Sequence, residues 1–533
     1  MTSSQCPYCH QRCISVSPSL FPTDDNSHHE VERVHEEIRQ VEVLLGGLQQ
    51  KRVALLRRLN HLQSTISHLP PETLGLIFSH ACAPAQSNQR HDEYEMARST
   101  LTPMAQWDER LGGGVGYTYC IQLVLCAVSS RWREVMLSMR HLWTSVDLDV
   151  RKKRKIKYQA SILRSFLNNS VSLPFSLNLH FHHESDLRHG LLDESVDPLI
   201  KQNVSRISTL RLVHPPDEFL SLMGFLPILK ELSVKYCSRS VLGIPPGCQH
   251  LTLAQHFGDV MVATVNSITV LRLSSIPIDV CLNLLRQCPN LAEYRNRYPE
   301  VHVNDDIELP RTPFTLSRLE IFEWRAHATM NSIFDEAMCN YIRLPALRTL
   351  VWGELVTGEY GFASPLFNHL PRTLSNLEFV MSTSMAGARA LIDFIPEDNR
   401  VESIALSRCG KLPDILSRLK ERSMSGQWKF SQLKSIVIRP LRHDVFDIFL
   451  AEILNERLRD EPVDTFVLEV ITEHENLPVP WTTNLKQRLW EMVNGGINLE
   501  IMENGKLVGW LHSDQGPIPS LVEEALEEDI RNS

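Results

Sequence analysis

The residues of this chain best suited to chemistry lie at its start. Cys6-Pro7-Tyr8-Cys9 has the spacing of a dithiol redox pair. Such a pair works when a strand precedes it and a helix follows, because the helix end lowers the first thiol's pKa. Only five residues precede Cys6, so no strand is expected and the redox reading falls. Cys6, Cys9 and Cys13, with His10, His28 or His29, could instead supply four tetrahedral ligands to zinc. No second ligand pair follows at the usual spacing, and an exposed Cys-rich terminus accounts for the same residues. The histidines are scattered, and His182-His183 belongs to no recognised ligand motif. The chain lacks Gly-x-Ser-x-Gly, a Walker loop, His-Glu-x-x-His and a dinucleotide fingerprint. Gly112-Gly113-Gly114 lacks a following Lys and reads as a loop. The expectation is a non-enzymatic protein with no catalytic residues, no cofactor and no resident metal.

The bulk properties agree with a folded binding protein. Of 533 residues, 43% are apolar, and the net charge is −9. That apolar share excludes a disordered chain, and the glycine and cysteine usage excludes collagen-like and disulfide scaffolds. A mildly acidic chain is a poor electrostatic partner for nucleic acid. No leader-like apolar segment opens the chain and no run reaches about 18 apolar residues. An intracellular protein of cytoplasm or nucleus, without a membrane partner, is expected. Its 12 cysteines should then be mostly buried thiols. The basic run Arg151-Lys152-Lys153-Arg154-Lys155-Ile156-Lys157 fits a nuclear import signal, an anion-binding patch or the solvated face of a helix. That helix would bury Ile156, Ala160, Leu163 and Leu167.

Residues 28–68 carry a heptad. Val31, Val34, Ile38, Val41, Leu45, Leu48, Arg52, Leu55, Leu59, Leu62 and Ile66 alternate spacings of three and four, and all but Arg52 are apolar. This is the seam of a coiled coil. It can serve a homodimer through residues 31–66. It can equally serve a helix packed on its own chain, or a helical hairpin bent at Gly46-Gly47, where each glycine costs about 1 kcal/mol relative to Ala.

Residues 69–150 read as short helices. Leu69-Pro70-Pro71-Glu72 begins one, since proline suits a first turn and Glu72 the positive end of the dipole. Leu74, Ile77, Phe78 and Ala81 share a face. A second helix is expected over about Cys120 to Met139, with Val124, Val128, Trp132, Val135 and Met136 at helical spacing. His141-Leu142-Trp143 follows. These residues resemble an F-box. The parts that match are Leu69-Pro70-x-Glu72-x-Leu74-x-x-Ile77-Phe78, then Val128-Ser129-Ser130-Arg131-Trp132-Arg133, then Leu142-Trp143. Ser129 stands where the family pattern has Cys, and residues 83–122 are inserted between the halves. The resemblance implies docking to the Skp-type adaptor of a cullin–RING (SCF) ubiquitin ligase. Leu69, Pro70, Leu74, Ile77, Phe78, Val128 and Trp132 would form or support that surface. The same residues also suit the core of a small helical domain.

Beyond residue 200 a unit recurs. Ile207-x-x-Leu210-x-Leu212 returns at Leu229, Ile268, Leu319, Leu347, Leu374, Val401 and Leu433, with shorter forms at Leu251, Leu291, Phe466 and Leu499. The period, about 20 to 30 residues, is that of leucine-rich repeats. Each unit offers one strand and a return segment, and none can bury its apolar face alone, so neighbours stack. Cys237 and Cys409 follow their strands where a buried residue bridges the turn. Arg211, Lys235, Arg272, Glu323, Glu378 and Arg439 lie between or beside the core positions. They are candidates for contact with a polar, protein-sized target, and equally ordinary solvated strand positions. The phrase Leu284-Leu285-x-x-Cys288-Pro289-Asn290-Leu291 extends the resemblance to F-box proteins with leucine-rich repeats, of the type expanded in fungi.

The expected fold class is therefore α/β: a coiled-coil-like helix, a small all-α F-box-like module and a leucine-rich-repeat solenoid. The divisions are residues 1–27, 28–68, 69–150, a linking helix and first strand over 151–205, the repeats over 206–510 and an acidic tail over 511–533. The expected role is target recognition for an SCF-type ligase. The alternative is a scaffold that dimerises through its coiled coil and never joins a ligase.

Overall fold

The structure is a computed structural model. It describes residues 25–63, 66, 69–82, 120–150, 156–181, 196–220, 226–237, 241–256, 260–262, 267–297, 299, 312–326, 333–354, 364–380, 392, 395–396, 399–409, 415–416, 419–420, 422, 426, 428–439, 449–460, 463–472 and 481–512. The cysteine cluster of Cys6, Cys9, Cys13 and His10, residues 83–119 of the insert, Arg151 to Lys155, His182-His183 and the tail from 513 lie outside the described residues.

The fold is mixed α/β around one sheet of fifteen strands. In chain order these are β1 (Ser145–Asp149), β2 (Phe175–His180), β3 (Ile207–Val213), β4 (Glu231–Cys237), β5 (His250–His256), β6 (Val270–Ser274), β7 (Glu293–Arg297) and β8 (Ile321–Ala326). They continue as β9 (Thr349–Glu354), β10 (Asn376–Val380), β11 (Ser403–Ser407), β12 (Ser435–Arg439), β13 (Phe466–Val470), β14 (Leu499–Glu503) and β15 (Lys506–Leu507). Order in the sheet equals order in the chain. Every neighbouring pair is parallel except β14–β15. A parallel neighbour requires the chain to return to the end at which the previous strand began before pairing. The return segments include the helices Ile156–Ser170, Ile278–Gln287, Phe449–Asp460 and Thr483–Asn494.

Registration places like residues side by side. Val146, Leu177, Leu210, Leu232, Leu251, Leu271, Tyr294, Phe322, Leu350, Leu377, Ile404, Ile436, Leu468 and Ile501 form one row across the sheet. All are buried. A second buried row, two residues on, includes Leu148, Leu179, Leu212, Val234, Leu253, Leu273, Trp324, Trp352, Phe379, Leu406, Ile438 and Val470. Asn296 interrupts it and is itself fully buried. Period-two alternation puts both rows on one face. The Tyr294, Phe322 and Trp324 rings stack there, with centroids 5.5 and 6.3 Å apart.

Strand exits share a device. His214, Tyr236, Gln255, Ser275 and Arg408 each lie two residues past a second-row position and each has φ near +50°. This left-handed turn is uncommon for residues with a Cβ. Its recurrence shows that the same bend starts each of these returns. Cys237 and Cys409 are buried beside it, and the Cys409 thiol donates to the Phe379 carbonyl at 3.5 Å. The described cysteines are all free thiols, and most are buried. Burial pushes Cys248 and Cys288 up to about 12, so neither is a nucleophile near neutrality.

Several boundaries differ from expectation. Ser145–Asp149, read as the end of the helical module, is instead β1, so the sheet starts earlier; Val146 and Leu148 complete the two apolar rows. The first helix, α1 (Asp25–Gln63), runs unbroken through Gly46-Gly47, which removes the hairpin. Its backbone bonds are continuous, and nothing lies close enough to either glycine to favour a bend. Ile66 falls beyond its end. Among the described residues no helix is long and apolar enough to cross a membrane.

Phe322, fully buried and stacked on both Tyr294 and Trp324, tests the stacking directly. Phe322→Ala is expected to cost about 3–5 kcal/mol, read as a lower midpoint in urea unfolding. A loss below about 1 kcal/mol would mean that the row does not hold the sheet.

Candidate functional site

Two surfaces collect the residues singled out above. The first is the helical head. α2 (Pro71–Cys82) starts at the Leu69-Pro70-Pro71 step, where the Leu74 amide donates to the Pro70 carbonyl at 3.1 Å. The expected second helix is two, α3 (Ile121–Val128) and α4 (Ser130–Ser138). Ser129 between them is extended, and its hydroxyl accepts from the Trp132 amide at 3.1 Å. A serine here stops one helix and caps the next. Residues 121 and 122, which fell both in the insert and in the expected second helix, belong to α3.

Charged side chains tie the head together through backbone carbonyls. Arg131 donates to Leu69 O, across the insert, and Arg133 Nε donates to Cys126 O at 3.0 Å. Trp132 packs on Phe78 with ring centroids 5.0 Å apart. Trp143 donates from Nε1 to Met136 O at 2.9 Å and meets Phe166 edge-on at 5.0 Å. Phe166 belongs to α5 (Ile156–Ser170), the return segment between β1 and β2. On α5, Ile156, Ala160, Leu163 and Leu167 are buried as expected. The Leu142-Trp143 step thus anchors the head to the sheet.

The head sorts its expected docking residues into two groups. Leu74 and Phe78 are fully buried and belong to the core; Trp132 and Leu69 are half-buried. Pro70, Ile77 and Val128 are exposed, the last two at 45% and 57%. Ile77 and Ala81 do not share the inward face of Leu74 and Phe78, because α2 meets its neighbours along Leu74, Gly75 and Phe78. Sequence reading did not assign to the docking surface Leu76, the most exposed large apolar residue of α2 at 65%, nor Ile121, Leu137 and Val124, the last of which it had set at helical spacing. Ile121, Val124 and Val128 follow i, i+3, i+7 spacing, so they form one stripe along α3. That spacing was visible in the sequence once the helix start was known.

The second surface is a charged row along the strands. Arg211 pairs with Glu231 at 2.9 Å, Arg272 with Glu293 at 2.8 Å and Arg439 with Glu378 at 2.8 Å. Lys235 is half-buried on β4. Ser407 Oγ donates to Glu378 at 2.6 Å. Glu323 departs from expectation. Its side chain is fully buried, enclosed by Arg295 at 3.2 Å, Arg297 at 2.8 Å and Arg325 at 2.6 Å. It therefore positions arginines and offers no contact surface of its own. Burial alone would raise its pKa, but the guanidinium groups of Arg325, Arg297 and Arg295 outweigh burial and hold the carboxyl below its usual range. Glu293 behaves likewise, with Arg272 and Arg295 outweighing burial.

Gly353 stands opposite Arg325 in the register. A Cβ there would lie 2.8 Å from Arg325 Cγ, so its absence lets the guanidinium reach Glu323. The sequence reading missed Arg295, Arg297, Arg325 and Gly353. The unit containing β7 has no Leu-x-Leu pair and was read only as a shorter form at Leu291, so its arginines were not singled out. Among the described residues, no group of three or more His, Cys, Asp or Glu could hold a metal ion.

No protein-family model matches this chain, and no curated protein matches its sequence.

Glu323 makes a pH-dependent prediction. Its depressed pKa means its stabilisation is present above the unfolded carboxylate value of about 4.3 and is lost as pH falls through the folded value. Glu323→Gln is expected to cost on the order of 3 kcal/mol at pH 7, reduced because the arginines are partly exposed. The gap between wild type and variant should close as pH drops below 4.3. Thermal melts at pH 7 and pH 3 measure both values; a gap that widens at pH 3 contradicts the assignment.

Proposed function

We propose that this chain is a non-catalytic receptor subunit. Its F-box-like head docks the Skp-type adaptor of a cullin–RING (SCF-type) ubiquitin ligase, and its strand array, read as leucine-rich repeats in a solenoid, holds a target protein. The observation that carries this reading is the exposed apolar set Ile77, Ile121, Val124 and Val128, which lies outside the buried set Leu74, Phe78, Val135, Met136 and Trp143 of the described head. Large apolar side chains left outside a filled core mark a partner surface. Burying each is worth about 1.5–3 kcal/mol.

The match of Leu69-Pro70-x-Glu72-x-Leu74-x-x-Ile77-Phe78 and Trp132 to the F-box pattern names the partner class. The charged row supports the target side. Its members hold one another in place by ion pairs, so Arg211, Arg272 and Arg439 offer oriented donors to a polar protein surface. No residue here would perform bond chemistry. Acceleration would come from holding a target lysine near a charged conjugating enzyme, which converts an encounter into a proximal reaction.

The adaptor test uses exposed positions. Purified full-length chain is expected to bind a Skp-type adaptor in a pull-down. Ile77→Asp with Val128→Asp should weaken that binding at least about hundredfold, with an unchanged melting temperature because neither side chain is in the core. Wild type that captures no adaptor ends the ligase reading. The scaffold reading, in which the chain dimerises and joins no ligase, is favoured by the uncovered seam of α1 and would then stand.

A further inference from the structure

α1 is a helix of 39 residues, about 58 Å long. Val31, Val34, Ile38, Val41, Leu45, Leu48, Leu55 and Leu59 along its seam are all exposed. An isolated helix gains little stability in water from propensity alone and needs its apolar face covered. Its charge is split along its length. Glu30, Glu32, Glu36, Glu37 and Glu42 outnumber Arg33 and Arg39 in the first half. Lys51, Arg52, Arg57 and Arg58 occupy the second half, where no acidic residue appears.

We propose that α1 forms an antiparallel two-stranded coiled coil with α1 of a second copy of this chain, centred on Gly46-Gly47. In that arrangement Val34 lies opposite Leu59 of the other copy, Ile38 opposite Leu55, Val41 opposite Arg52 and Leu45 opposite Leu48. The acidic half of each helix runs beside the basic half of the other. Glu37 flanks the seam where it meets Arg58, twice per dimer by symmetry. Arg52, the polar seam position, meets Val41 with Glu42 alongside.

A parallel dimer fails on the same residues. It would set Arg52 against Arg52 in the seam and Glu37 against Glu42 at its flank. Like charges directly facing one another oppose association. Within one helix Glu37 has only a long contact to Arg33, 3.9 Å, between two exposed side chains, so it remains available. The glycines fall on the outer side of this coil, which is why they need make no contact.

The full-length chain tests this by sedimentation equilibrium at low ionic strength. Wild type is expected at twice the 61.0 kDa chain mass. Leu45→Asp with Leu48→Asp should give monomer while the circular dichroism of the sheet persists. Glu37→Lys and Arg58→Glu should each raise the dimer dissociation constant by roughly tenfold. The double variant should restore it, because the swapped charges meet again. A strictly monomeric wild type, including one whose seam is covered by its own chain, overturns the proposal. Tighter association of Glu37→Lys also overturns it, since relief of a Glu37–Glu42 clash is the signature of parallel strands.

Discussion

The structure depends on one constraint: a strand here cannot satisfy its backbone or bury its side chains within its own unit. Each parallel strand between the ends both donates backbone hydrogen bonds to, and accepts them from, the strands on either side. Its two inward side chains contact those of the same neighbours. The first apolar row therefore runs unbroken from Val146 to Ile501, and the second runs from Leu148 to Val470 with the single interruption at Asn296. Regularity of register matters more than the identity of any leucine. Tyr294, Phe322, Trp324 and Trp352 fill positions that leucine holds elsewhere, because the row asks for volume and apolar surface.

The same stacking explains the charged row. Residues between the inward positions also align across strands, at the spacing of neighbouring chains. At that distance like charges repel and opposite charges pair, and Glu293 and Glu323 offset the arginines that the register sets side by side, Arg272 with Arg295 and Arg297 with Arg325. Glu293 and Glu323 are placed among Arg272, Arg295, Arg297 and Arg325, so two carboxylates hold four guanidinium groups in fixed directions. Gly353 supplies the space that Arg325 needs. Side chains held by ion pairs in this way have less freedom left to lose in any contact they make.

The head is held by different means. Its helices are short, and side chains close it by reaching backbone carbonyls: Arg131 to Leu69, Arg133 to Cys126, Trp143 to Met136. Trp143 then packs on Phe166, so the head shares a continuous core with the first return segment. What remains outside is apolar: Leu76 and Ile77 on α2, the Ile121–Val124–Val128 stripe on α3 and Leu137 on α4. The long helix α1 is the opposite case, with a regular seam and nothing described that buries it.

Periodicity in the sequence determined the strand positions from Ile207 to Ile501, the inward face of α5 and the heptad of α1. These depend on spacing within one element, which the chain carries locally. Tertiary structure alone decided that Ser145–Asp149 starts the sheet and that Ile77 faces out while Phe78 faces in. It also decided that Glu323 is enclosed and Arg325 directed. Each depends on what a distant segment places beside it: Phe175–His180 beside Ser145–Asp149, Trp132 against Phe78, Arg297 and Gly353 around Glu323 and Arg325. Spacing along a chain specifies which residues share a face. Which face is covered, and by what charge, depends on contacts that no local pattern contains.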